Sequence, residues 1–313
     1  MARLADRIPQ NAPGDWFVDR SCIDCDLCRQ IAPEVFGRAD DADQSFVHHQ
    51  PERDEARRRA AMALVACPTS SIGTSDRRDL QAAATAFPER IAGPAGEVYF
   101  CGYASEDSYG ASSYLLRRPD GNVLIDSPRA ARPLLRRIAE LGGVRWMFLT
   151  HKDDIADHEV FRREFGCDRV IHERDIGGAT RDVEVKLSGD APTPLAHDLL
   201  AIPVPGHTRG SVALLHVAPG PEGGPPAEAP QRWPERYLFT GDHLWRAASS
   251  CSLDASRDVC WYSWAEQTRS MERLLAHRFD WVLPGHGRRW QAPSADAMRA
   301  ELEALIVRMR AAA

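Results

Sequence analysis

No stretch of the chain approaches the ~18 consecutive apolar residues that a membrane span requires, so a membrane-embedded function is not expected. The opening residues, MARLADRIPQNAPGDWF, hold no apolar segment of the kind a secretory leader needs, and a cytoplasmic setting is the expectation that follows. Lysine is nearly missing, with Lys152 and Lys186 standing against arginine everywhere else. The 39 lysines and arginines are scattered and outnumbered by 45 acidic residues, a net charge of -6, so the footprint of a nucleic-acid-binding protein is missing as well. Eight cysteines in 313 residues are few for a secreted disulfide scaffold, and a chain this long buries enough surface to fold without staples. With 43% hydrophobic and 27% charged residues it is neither disordered nor fibrous in composition.

Four of the cysteines are concentrated near the start. Cys22, Cys25 and Cys28 form C-x-x-C-x-x-C, and Cys67 follows after a 38-residue gap, directly before Pro68. One tight loop can aim three sulfurs at a point while a distant fourth closes the site, which suits the corner thiolates of an iron-sulfur cubane. Structural zinc also takes four cysteines, but usually as two separated pairs. The residues from about 10 to 78 resemble a bacterial-type ferredoxin of the single-cluster kind. That resemblance implies one 4Fe-4S cluster on Cys22, Cys25, Cys28 and Cys67, with no second cysteine group for another cluster. A cysteine at 25, rather than aspartate, implies four irons rather than three. Residues 51–66, alanine- and arginine-rich with acidic residues in the first turn, predict a helix that delivers Cys67. Residues 76–96 carry no alternating pattern and read as a linker with a helical turn.

The texture then changes. Residues 112–128 are two apolar runs around Pro119-Asp120-Gly121-Asn122, a hairpin pattern, followed by a helical spacing over 129–141 and a short buried strand over 144–151. That order predicts an α/β layer architecture with its site at a sheet edge. Chemistry-bearing residues cluster at His151, Asp153, Asp154, Asp157 and His158, and on a helical turn Asp154, Asp157 and His158 would share one face. His207 in Pro-Gly-His, Asp242 in Gly-Asp-His and His286 in Pro-Gly-His each follow an apolar run and adjoin a glycine. Any one of these alone reads as a solvated turn.

Taken in order, the set resembles the metallo-beta-lactamase superfamily over residues 97–313. The resemblance implies His151, His207 and an intervening residue at one metal, Asp157, His158 and His286 at the other, and Asp242 bridging. The family's loop is two residues shorter and has histidine third. Here counting forward from His151 selects Asp153, while the helical-face argument selects Asp154, and both stay open. A carboxylate in place of imidazole adds charge and a hard donor, favouring iron over zinc. The flavodiiron branch, which reduces nitric oxide or dioxygen, resembles this loop in that respect, although no flavodoxin domain fits in the remaining chain. The fold expected is an α+β ferredoxin-like domain at 1–80, a linker at 81–96, and an αβ/βα metallo-beta-lactamase sandwich at 97–313.

The function expected is an oxidoreductase in which the cluster passes electrons to a di-iron site that activates or reduces a small molecule, tethering giving a high effective concentration. The alternative is a two-metal hydrolase of thioester, lactone or glyoxalase-type substrates, with Asp242 bridging and Asp157 or Asp242 moving the proton. A degenerate, sensing metal site is a third reading. An external electron donor is an expected partner, and a homo-oligomer stays open. Cys101 and Cys167 read as inert core thiols, and Cys260, Trp261, Tyr262 and Trp264 as buried thiol and core aromatics. His243 is either a support for the metal ligands or an ordinary polar neighbour. Residues 218–236, rich in proline and glycine, read as a solvated hairpin loop.

Overall fold

A computed structural model describes residues 2–39, 43–91, 98–218 and 235–312. The expected hairpin loop falls almost wholly outside them, at 219–234, as do residues 92–96 of the expected linker.

The chain divides into two compact units. One comprises Met1–Ile91, Val98–Arg145 and Ala156–Gly166, and the other holds Trp146–Ile155 and Cys167–Ala313. In the first unit β1 (Trp16–Val18), α1 (Leu27–Ile31), β2 (Phe36–Ala39), β3 (Gln44–Val47), α2 (Asp54–Ala66) and β4 (Ile72–Thr74) surround the cysteine motif. β1 pairs antiparallel with β4, Phe17 opposite Gly73, and β2 with β3, Gly37 opposite Phe46. The predicted helix is α2. Asp54 and Glu55 favour its amino end, and Ala56, Ala60, Met62, Ala63 and Ala66 turn inward while Arg57 and Arg58 face out. It stops at Cys67 because Pro68 biases the preceding residue out of helical geometry.

The linker's predicted turn is α3 (Gln81–Ala84). An antiparallel sheet follows in the order β5 (Glu89–Arg90), β6 (Val98–Phe100), β7 (Tyr114–Leu116) and β8 (Val123–Ile125), with Tyr114 opposite Ile125 in the predicted hairpin. Helices α4 (Arg132–Glu140) and α5 (His158–Phe165) complete this unit.

In the second unit β9 (Trp146–Phe148), β10 (Asp168–His172) and β11 (Val185–Leu187) run parallel. A six-stranded sheet has the order β12 (Thr193–Ala196), β13 (Leu199–Pro203), β14 (Val212–Val217), β15 (Arg236–Gly241), β18 (Trp281–Pro284), β19 (Trp290–Gln291). β16 (Trp245–Arg246) and β17 (Leu253–Asp254) form a separate pair. Helices α6 (Trp264–Leu274) and α7 (Ala295–Ala311) supply Met271, Leu274, Met298, Leu302, Leu305, Ile306 and Met309 to a core shared with Ile202, Leu238 and Val282. The α7 residues recur at helical spacing, and each large one contributes about 1.5–3 kcal/mol by leaving water. β15 and β18 are parallel neighbours, so their carboxyl ends lie side by side and the residues just beyond them, Asp242 and His286, meet.

Candidate metal centre

Four loops at strand ends build the centre. His151 lies beyond β9, His207 in the β13–β14 hairpin, Asp242 after β15 and His286 after β18. The main chain fixes their approach: Val212 N donates to Thr150 O at 2.8 Å, Gly285 N to Gly241 O at 2.9 Å, and His286 N to the Asp242 Oδ1 at 3.1 Å. Gly285 is required for space rather than for a turn. A Cβ there would stand 2.7 Å from both Asp154 Oδ2 and Asp242 Oδ1, so a side chain would push the two carboxylates apart.

Two groups of ligand atoms result, each within 4.8 Å: His151, His207 and Asp242 in one, Asp154, Asp242 and His286 in the other. Asp242 Oδ2 lies 3.8 Å from Nε2 of both His151 and His207, and the His286 Nδ1 is 2.8 Å from the same oxygen. Asp242 is therefore common to both groups. Asp153 and Asp154, which the sequence leaves as alternatives, both approach the centre on different sides. Asp153 Oδ2 is 3.6 Å from His207 Nε2, and Asp154 Oδ2 is 3.9 Å from His151 Nε2. Asp154 is buried, while the Asp153 side chain is 43% exposed and so opens toward solvent.

The expected helical face over Asp154, Asp157 and His158 does not form, because α5 begins at His158 with Asp157 at its amino cap. Asp157 Oδ2 accepts the Ala130 N–H at 2.7 Å, and Asp157 stands in neither ligand group. Asp154 stands with Asp242 and His286 where the resemblance placed Asp157. His158 is buried in the first unit and is likewise in neither group.

The imidazoles are prepared as donors. His207 Nδ1 meets Val259 O at 2.6 Å and His151 Nδ1 meets Thr150 Oγ1 at 2.9 Å, leaving each Nε2 facing the centre. Both Nε2 atoms are buried and have no hydrogen-bond partner. Burial pushes the His151 imidazole down to about 4, so it is neutral at physiological pH with a lone pair available. Burial works against ionisation of Asp242, but His286, His151 and His207 outweigh it and hold the carboxyl well below the ordinary carboxylate range. Two buried imidazole nitrogens without a partner, facing the Asp242 carboxylate, are what a cation would satisfy, and the donor set fits one.

One residue escaped the sequence reading. Asp175 is buried, and its carboxylate accepts Gly210 N–H at 2.7 Å, Lys152 N–H at 3.1 Å and the Thr208 hydroxyl, tying the His151 loop to the His207 loop. No motif surrounds Asp175, so sequence offered no signal for it. His243 is buried with neither ring nitrogen hydrogen-bonded, and burial pushes it down to about 3. The expectation of core aromatics fails at Trp261 and Tyr262, which are 65% and 48% exposed beside His207, their amides donating to His207 O. Cys260 is partly buried, while Cys101 and Cys167 are buried as expected.

In the first unit Cys22, Cys25, Cys28 and Cys67 are all free thiols lining one cavity with Leu27 and Ile72. Among the described residues no three of these sulfurs lie within 4.8 Å of one another. Burial raises the Cys25 thiol to about 12 and Cys28 well above its ordinary value, so these sulfurs need cationic partners to become thiolates.

Residues 18–74 match the family of the 4Fe-4S single cluster domain of Ferredoxin I. This ferredoxin segment contains all four cysteines of the cavity. No curated protein matches the chain. Among solved structures the chain is similar to a subclass B3 metallo-beta-lactamase of Bradyrhizobium japonicum, at 14% identity over 69% of this chain and 93% of that one, with a TM-score of 0.45. It is also similar to a metallo-beta-lactamase of Cronobacter sakazakii (20% identity, 69% and 89% covered, TM-score 0.44). A third similar structure is a class B3 di-zinc metallo-beta-lactamase from an Alaskan soil metagenome (15%, 75% and 97%, TM-score 0.47). No helix among the described residues is long and apolar enough to cross a membrane.

Proposed function

We propose that this chain is a two-metal oxidoreductase of metallo-beta-lactamase type, served with single electrons by a 4Fe-4S cluster and acting on a small molecule. The observation that supports it most is the donor set: Asp153, Asp154 and Asp242 stand among the imidazoles of His151, His207 and His286, with Asp242 shared. Three hard oxygen donors beside three imidazoles favour iron over zinc. In this reading His151, His207 and Asp153 hold one iron, Asp154 and His286 the other, and Asp242 faces both. Iron bound there would supply one-electron chemistry and Lewis acidity. Cys22, Cys25, Cys28 and Cys67 hold the cluster, and an external reductant recharges it.

The chain's own contribution is orientation. Val259 O sets the ring of His207 through Nδ1, Asp175 locks the two histidine loops together, and burial keeps His151 in its neutral form. The exposed edge of Asp153 leaves one side of the centre accessible to a substrate from solvent. The shared Asp242 favours a second reading as well, a hydrolase of thioester, lactone or glyoxalase-type substrates in which the cluster is structural or sensing.

Metal analysis of the purified protein tests the choice, together with turnover in Cys25→Ala. About six irons, with reductant-dependent turnover lost in Cys25→Ala, is the result expected. About four irons with two zincs, and hydrolysis that survives loss of the cluster, would favour the second reading. Protein that binds no metal beyond the cluster would overturn both.

A further inference from the structure

Helix α2 ends one residue before Cys67, and residues from beyond the ferredoxin segment occupy its terminal carbonyls. Ala104 N–H donates to Ala66 O at 3.1 Å and the Arg129 guanidinium to Val65 O at 3.0 Å. Such carbonyls have no partner within the helix, so these bonds fix the cluster-bearing end to the 103–111 stretch. Arg129 also lies over the Tyr103 ring, 5.7 Å from its centre.

On the same stretch Gly110 sits against Cys25. A Cβ at Gly110 would fall 2.6 Å from Cys25 Cβ, 2.9 Å from its Sγ and 3.2 Å from Pro68 Cγ, and the backbone there has φ +84°. Only a residue without a side chain allows so close an approach at that conformation. The amides of Gly110 and Ala111 donate to Ser105 O and Ser108 O, so neither of them is offered to the sulfur. The backbone bonds to these sulfurs come from the ferredoxin segment itself, Leu27 to Cys25 and Ser71 N–H to Cys67 Sγ at 3.4 Å.

We propose that residues 103–111 are a cover that keeps water from the Cys25 corner of the cluster, with Gly110 as its positioning residue, and that this cover lowers the cluster's reduction potential and slows its loss. The proposal rests on the cluster reading above. A reduced cluster carries one more negative charge than an oxidised one, and a wall that keeps water away and turns the Gly110 amide elsewhere disfavours the added charge. Letting water in therefore raises the potential and opens the corner to chelators.

The test uses the full chain carrying its cluster, with Gly110→Ala compared to wild type and to Asp107→Ala, an exposed change on the same stretch. Gly110→Ala is expected to raise the midpoint potential and to bleach about tenfold faster under a chelator, equivalent to about 1.4 kcal/mol of barrier, while Asp107→Ala matches wild type. Should Gly110→Ala fail to accumulate, amide exchange at Ala104 and Gly110 of wild type, with and without its cluster, reads the same contact and is expected to quicken on cluster removal. A folded Gly110→Ala with unchanged potential and bleaching rate, or exchange indifferent to the cluster, would overturn the cover. Wild type that never acquires a cluster would reject the cluster reading instead.

Discussion

Replacing Asp175 by asparagine keeps its size and shape but gives one corner of the side chain an NH2 group. The carboxylate accepts from Gly210 N–H with one oxygen, and from Lys152 N–H and the Thr208 hydroxyl with the other. The hydroxyl of Thr208 can turn to accept, but a backbone N–H cannot. Whichever way the amide sits, Gly210 N–H or Lys152 N–H therefore faces a donor. An unsatisfied donor costs about 1–3 kcal/mol, and the surviving bonds lose the benefit of a carboxylate acceptor, so a loss of about 2–3 kcal/mol in stability is expected. The loops released are those that carry His151 and His207, so metal affinity at the centre should fall about 10- to 100-fold. Chelator competition on metal-loaded protein measures that loss, with urea titration for stability and Asp190→Asn, an exposed change, as control. Metal affinity unchanged in a folded Asp175→Asn protein would show that Asp175 does not position the ligands.

Gly285→Ala should strip metal from the centre while the cluster absorbance persists, because the new methyl occupies the space of the Asp154 and Asp242 oxygens; full metal retention would refute that packing. In metal-free protein, burial keeps His151 and His243 neutral, with values of about 4 and 3 against an ordinary 6.5. Below pH 6.5 the unfolded chain takes up protons that the folded one refuses, so stability falls as pH drops toward 4 and 3. The His151 share of that loss is about 3 kcal/mol across its window. Urea midpoints across this range check it, and a flat profile below 6.5 would count against neutral buried imidazoles.

Local chemistry alone made much of the molecule legible. Cysteine spacing carries the cluster cradle because three thiols on one short loop are neighbours in any fold of that loop. Helix α2 was readable from alanine content and an acidic first turn, and the β7–β8 hairpin from its Pro-Asp-Gly-Asn turn. His207, Asp242 and His286 each follow a strand end and a glycine, His151 follows a strand end, and the four were nameable because their order resembles that of the metallo-beta-lactamase superfamily.

What required three dimensions was every relation between distant segments. Asp153 and Asp154 are adjacent in sequence, and only the path of the loop past His151 sends one toward His207 and the other toward Asp242 and His286. Asp157 looked equivalent in sequence, yet its Oδ2 accepts the Ala130 amide and it stands in neither ligand group. Gly285 reads as a turn glycine in sequence, yet what excludes a side chain is the nearness of two carboxylates, Asp242 beyond β15, the parallel neighbour of β18, and Asp154 from the loop after β9. Residue type and spacing determine which donors the chain possesses. Long-range packing decides which of them share a centre, since burial and distance set whether a lone pair faces a cation, a backbone amide or water.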